Sequence, residues 1–213
     1  MCETKLDHFQ GHLTNRPKRE MVTVQAFFLP QGMHSRTAAI GRTYVYKIIS
    51  PATVERVSCF DYNECWPFDR ALNLNAMREA ASHLKGKHDF SSFRGAGCSA
   101  KTPVRYIEEL EVEEQRCGPV WAPSSRVSLV SSEAMRCITV RVRAKSFLYH
   151  QVRYMVAWLV SVGAGDRPAS DTPEVILARS VAALGVKTAP SWGLFLCEVH
   201  YDPAFLDTLE KMT

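Results

Sequence analysis

The chain has few of the features by which a sequence declares a metal, a disulfide scaffold or a membrane. Its seven cysteines include no C-x-x-C pair, and an odd number cannot close into a disulfide framework. They read as reduced thiols, which suits an intracellular protein. The histidines and cysteines have no ligand spacing and there is no glycine-rich phosphate loop, so no metal site is expected. Long hydrophobic runs are missing as well. The best candidate, YMVAWLVSVGAG, falls well short of the roughly 18–20 apolar residues a membrane span needs, so no membrane association is expected. The first twenty residues have no apolar signal core, and their acidic groups suit a transit peptide poorly; the choice between mitochondrion, cytoplasm and nucleus stays open. Charge of one sign is also scarce. A net charge of +4 and a pI near 8.7 admit a polyanionic partner without requiring one.

What is present is a globular composition, 46% hydrophobic and 23% charged, with no internal repeat. MVTVQAFFLP (21–30) and RTYVYKII (42–49) read as strands from their β-branched and aromatic content. NLNAMREAASHLKG reads as a helix with Leu74, Met77, Ala81 and Leu84 at helical spacing, Asn73 as its cap and Gly86 at its end. Residues 105–114 form a strand alternating on Tyr106, Leu110 and Val112, and residues 136–145 one alternating on Ile138, Val140 and Val142. An irregular stretch separates them. Residues 146–163 read as a second helix capped by Ser146, with a stripe from Leu148 to Leu159 and a terminus at the glycines 163–165. Asp171 and Glu174 look like a capping box for a short third helix, and GLFLCEVHYD (193–202) closes with a strand. Strand, helix, strand, strand, helix, strand is the split β-α-β order of an α+β, ferredoxin-like domain, a mixed or antiparallel sheet with helices on one face. RNA-recognition domains of this topology use the open face, but metal- and small-molecule-binding domains share it.

Three stretches invite a functional reading. GKHDFSSFRGAGC groups His88, Asp89, Ser91, Ser92 and Arg94 around Phe90 and Phe93. Adjacent residues seldom hold the geometry of a His–Asp–Ser triad, so it reads as a helix-exit loop whose polar groups bond local backbone. His150 and Arg153, three apart on the second helix, are either a solvated face or an anion site; an arginine amid apolar residues normally has a carboxylate or phosphate partner. Arg36, Arg42, Lys47, Arg94, Lys101 and Arg105 either line a phosphate-tracking surface or simply face solvent. Tyr44 and Tyr46, two apart, share one face of their strand.

MHSR…RTYVYKI, the first helix with its G-x-H-D-F-S-S-F-R exit, VRYI, FLYHQVRYMVAWLVSVG and GLFL occur in one order from about residue 25 to residue 202. This series resembles the tRNA pseudouridine synthases of the TruA family. The resemblance implies a uridine-to-pseudouridine isomerase acting on tRNA, without cofactor, and it admits a homodimer. It implies that Tyr44 packs on the target uracil and takes part in the proton transfer at its carbon. It implies that Arg153 pairs with the catalytic aspartate, that Gly193 and Leu194 form the pocket wall, and that Arg42 and Arg36 contact RNA.

The family's nucleophile, an aspartate in an RTDxGVHA-like loop, has no counterpart among the eight aspartates of this chain. Residues 1–40 are therefore expected to be a remnant of the N-terminal catalytic domain with its linker, and residues 41–213 the C-terminal domain. The chain alone is expected not to isomerise uridine, since covalent catalysis fails without its nucleophile. The rival expectation is a non-catalytic RNA-binding module on the same fold.

Overall fold

Alternation along β1 (Ala39–Ser50) organises the sheet. In the computed structural model, which describes residues 38–51, 64–116 and 136–203, Tyr46 and Ile48 are wholly buried on one face while Val45 and Lys47 are half-buried on the other. β1 is joined by β2 (Trp66–Pro67), β3 (Gly86–Asp89), β4 (Val104–Arg116), β5 (Arg136–Ala144) and β6 (Leu194–Tyr201). The order is β2-β1-β5-β4-β3, with β6 also paired to β1. β1 and β2 run parallel, and the other pairings are antiparallel. The long strands thus lie in the order β6-β1-β5-β4. With α1 (Leu74–Leu84) between β1 and β4 and α2 (Gln151–Gly163) between β5 and β6, this is the expected ferredoxin-like arrangement.

The core lies under one face. Tyr46 and Ile48 of β1, Val140 and Val142 of β5, and Leu110 and Val112 of β4 share one cluster with Met77 and Leu84 of α1 and with Met155 and Leu159 of α2. Asn73 caps α1 as expected, its side chain accepting from the N–H groups of Asn75 and Ala76. From Met155 to Gly163 every residue of α2 is buried, as befits a helix enclosed on all sides. Its Trp158 donates to Thr172 Oγ1 at 3.0 Å, tying α2 to the start of α3 (Thr172–Ala178). Where α1 and α2 meet, Gly163 is required by closeness: a Cβ there would lie 2.7 Å from Met77. The opposite sheet face carries both signs of charge. Arg143 pairs with Glu108 and Glu109, and Arg141 with Glu198, while Glu111 and Glu113 are exposed.

Several local expectations are corrected. The helix exit is not a plain loop but opens with β3, started by Gly86 at φ 94°. β4 does not bury Tyr106, which is 60% exposed; Ile107 takes its place in the core at 1%. The cause is a register shift between Ile107 and Glu109, one extra residue that reverses the alternation. Ser146 does not cap α2, which starts at Gln151 after His150 in the left-handed region at φ 59°. Asp171 makes no side-chain cap, because a 3-10 turn at Ala169–Asp171 already gives it helical backbone angles, whereas a capping residue needs extended ones. α4 (Val181–Leu184) was not anticipated. The strand expected at 21–30 lies outside the described residues.

Candidate functional site

The late start of α2 makes the site. Residues 146–150, left as an irregular link between β5 and α2, form one wall of a cavity of about 700 Å³. Gly97–Ala100 and Arg105 form a second wall, and Arg42, Tyr44 and Leu194 from the sheet a third. Two strand positions thereby divide: Tyr46 is core, and Tyr44, two residues earlier on the same face, lines the cavity. The Tyr44 ring meets Phe147 edge-on at 5.3 Å.

The facing loops hold each other by backbone. Gly95 N–H donates to Tyr149 O at 2.8 Å, and a Cβ on Gly95 would lie 2.9 Å from that oxygen, so the approach requires glycine. Arg94 donates to Cys98 O and Ala100 O at 2.8 and 2.7 Å. It stiffens the loop instead of facing a ligand. Tyr149 N–H donates to Cys98 Sγ at 3.3 Å, and this bond, with the neighbouring Arg94, holds the thiol below its usual range. Tyr149, half-exposed, stacks on His150 at 3.8 Å.

Arg153, in the first turn of α2, is fixed by donating from Nε to Ala189 O at 2.6 Å and from Nη2 to Thr188 Oγ1 at 3.4 Å. Its Nη1 donates to His150 Nε2 at 3.3 Å. Burial and the Arg153 charge both push the His150 pKa down, which suits a neutral ring accepting through Nε2. Among the described residues no carboxylate pairs with Arg153. Tyr46 stands near enough to feel its charge, but burial dominates and raises the phenol pKa, so Tyr46 stays protonated and donates to Pro190 O at 2.7 Å.

Arg42, Tyr44, Arg153 and Leu194, four of the residues singled out from sequence, thus share one cavity. Gly193 stands behind it against Tyr46, and Arg36 lies outside the described residues. Of the other cations Arg105 lines the cavity, while Lys47 faces Glu64 and Phe195. The His–Asp–Ser stretch is structural. Asp89 accepts from Ser91 Oγ and N–H, and Ser92 bridges Val175 O and Ser180 N–H. Phe147, Tyr149 and Gln151 escaped the sequence reading because an uninterrupted helical pattern covers them, with no Gly or Pro to mark the break. Among the described residues no Asp or Glu lines the cavity, no group of His, Cys, Asp or Glu is placed to hold a metal, and no helix is long and apolar enough to cross a membrane.

Fold and site define an α+β domain with a cationic, aromatic-lined cleft suited to a base-bearing polyanion. Residues 80–202 match the family model described as tRNA pseudouridine synthase. Human tRNA pseudouridine synthase-like 1 is 36% identical over 184 residues, 84% of this chain and 58% of that protein. tRNA pseudouridine synthase A of Erythrobacter litoralis is 37% identical over 209 residues, 94% of this chain and 73% of its own length; that of Rhodospirillum centenum is 38% identical over 171 residues, 79% and 59%. The chain belongs to the tRNA pseudouridine synthase family. It spans between 58% and 73% of these relatives' lengths.

Proposed function

We propose that this chain supplies the base-binding side of a tRNA uridine isomerase, and that the cavity beside Tyr44 receives a uridine flipped out of folded RNA. One observation carries this: an aromatic ring and three arginines converge on a cleft without a carboxylate in its described lining. A flipped base needs a π-surface to replace its lost stacking, and its phosphates need cations. Tyr44 packs on the uracil. Arg42 serves the backbone, as does Arg36 by its place in the sequence. Leu194 forms the pocket wall and Gly193 backs it.

Isomerisation in this family detaches the uracil, turns it and rejoins it through carbon, using an aspartate that Arg153 pairs with. The Arg153 guanidinium is already held at three points and has no carboxylate among the described residues, which suits an arginine waiting for that partner. The 213 residues hold no aspartate in the family's motif. The chain alone therefore binds tRNA without converting it, residues 1–40 being the end of the catalytic domain and residues 41–213 the C-terminal domain. The same absence favours a second reading, a non-catalytic RNA-binding module.

The test incubates the purified chain with an unmodified tRNA transcript, maps pseudouridine and measures binding in parallel. We expect binding without product, weakened about tenfold or more by Tyr44→Ala, the scale of one lost base–aromatic stack, and weakened also by Arg153→Ala. Appreciable turnover would overturn the claim that the nucleophile is missing. Binding indifferent to both substitutions would overturn the assignment of the cavity.

A further inference from the structure

Three side-chain nitrogens among the described residues are buried without a well-aligned hydrogen bond: Arg105 Nε, Arg143 Nε and Gln151 Nε2. Arg143 Nε has a Glu108 carboxylate oxygen at 3.0 Å, which supplies its partner. The other two both belong to residues that line the cavity.

Gln151 is the more telling. It is the first residue of α2, it is wholly buried, and its Oε1 accepts the Leu148 N–H at 2.8 Å. That bond fixes which end of the amide is which, because the flipped amide would set an NH2 donor against an N–H donor. Nε2 is left with its hydrogens unused. Native structures retain few buried orphan donors, because each forfeits its bonds to water. An acceptor brought by a ligand accounts for one on a cavity wall.

We propose that Gln151 reads the base, its side-chain amide donating to a carbonyl oxygen of the pyrimidine bound beside Tyr44. This rests on the cavity being the uridine pocket. A uridine nucleotide offers phosphate oxygens and uracil carbonyls as acceptors. Phosphate is the better partner for the charged donors Arg42, Arg105 and Arg153. The uncharged amide, with Leu148 and Val152 beside it in the lining, suits a neutral carbonyl.

The test titrates the 213-residue chain with uridine 5′-monophosphate and, separately, with ribose 5-phosphate. It follows the Gln151 side-chain NH2, the Tyr44 ring and the Arg153 guanidinium by NMR. The nucleotide should move the Gln151 NH2 resonances, and ribose 5-phosphate should not. Gln151→Glu keeps the acceptor for Leu148 N–H and loses the donor. Its new negative charge opposes both phosphates alike, so the nucleotide should weaken about tenfold more than the sugar phosphate does; if this variant does not fold, the wild-type titration still decides. Movement of Tyr44 and Arg153 with Gln151 NH2 unmoved would overturn the inference while the pocket stands. Movement with ribose 5-phosphate would overturn it by giving the donor to phosphate. If the nucleotide moves none of the three, the uridine pocket itself fails and the inference falls with it.

Discussion

Gly193 is where the core and the cavity wall meet at the scale of one residue. A Cβ there would stand 2.8 Å from the Tyr46 ring and 3.0 Å from Lys47 O, the second being backbone that cannot turn aside. Its own carbonyl accepts Lys47 N–H at 2.9 Å, so the strand cannot simply retreat. Gly193→Ala is therefore expected to destabilise the chain by about 1–3 kcal/mol, the usual cost of forcing extra volume into a packed site. Urea unfolding measures it, and an unchanged midpoint would show that Tyr46 has room to move. This constraint was not legible in the sequence, since the glycine and the ring it touches are 147 positions apart. The division between Tyr44 and Tyr46 was half legible. Period-2 alternation put both on one face; only the placement of α2 decides that Tyr46 lies under the core and Tyr44 beyond its edge.

At the scale of elements, α1 was legible because its signals are local: a capping Asn73, a stripe of Leu74, Met77, Ala81 and Leu84, and Gly86 after it. α2 was legible in its body and not at its start. SFLYH continues the helical pattern, and what stops it is distant, the pairing of Tyr149 with Gly95 and Cys98. Tyr106 failed for a related reason, since a one-residue bulge leaves no mark in composition. The same dependence on distant partners turns HDFSSF from a helix exit bonded only to local backbone into a clamp. Ser92 is wholly buried. Its hydroxyl donates to Val175 O at 2.6 Å and accepts Ser180 N–H at 3.0 Å, joining β3's exit turn to the middle of α3 and to the residue before α4. Ser92→Ala leaves both backbone groups without that partner and should cost about 1–3 kcal/mol. It should also raise protease sensitivity between Thr172 and Leu184. Ser91→Ala, which loses a bond only to the nearby Asp89, should cost less. The opposite ranking in thermal unfolding would refute the clamp.

Across the whole molecule the charges are sorted, although the total is only +4. The open sheet face carries exposed Glu111 and Glu113 and arginines already paired with glutamates, so it repels a phosphate chain as much as it attracts one. RNA-recognition domains of this topology use that face, and these residues do not suit such a use. The cavity side concentrates Arg42, Arg105 and Arg153 with no acidic residue in the described lining. Net charge hid this arrangement, because sequence totals average over faces that the fold separates. A polyanion held mainly by such a cluster releases counterions as it binds. Each single-strand phosphate contact contributes about −0.7 to the slope of log K against log salt, so three contacts give a slope of about −2. Measured by fluorescence anisotropy of a labelled tRNA transcript between low and physiological salt, Arg42→Ala should make the slope shallower by about 0.7. Arg141→Ala, on the open face, should leave it unchanged. Equal effects from the two substitutions would mean that RNA is drawn by the overall charge, and that the sorting of charge between the faces does not direct it.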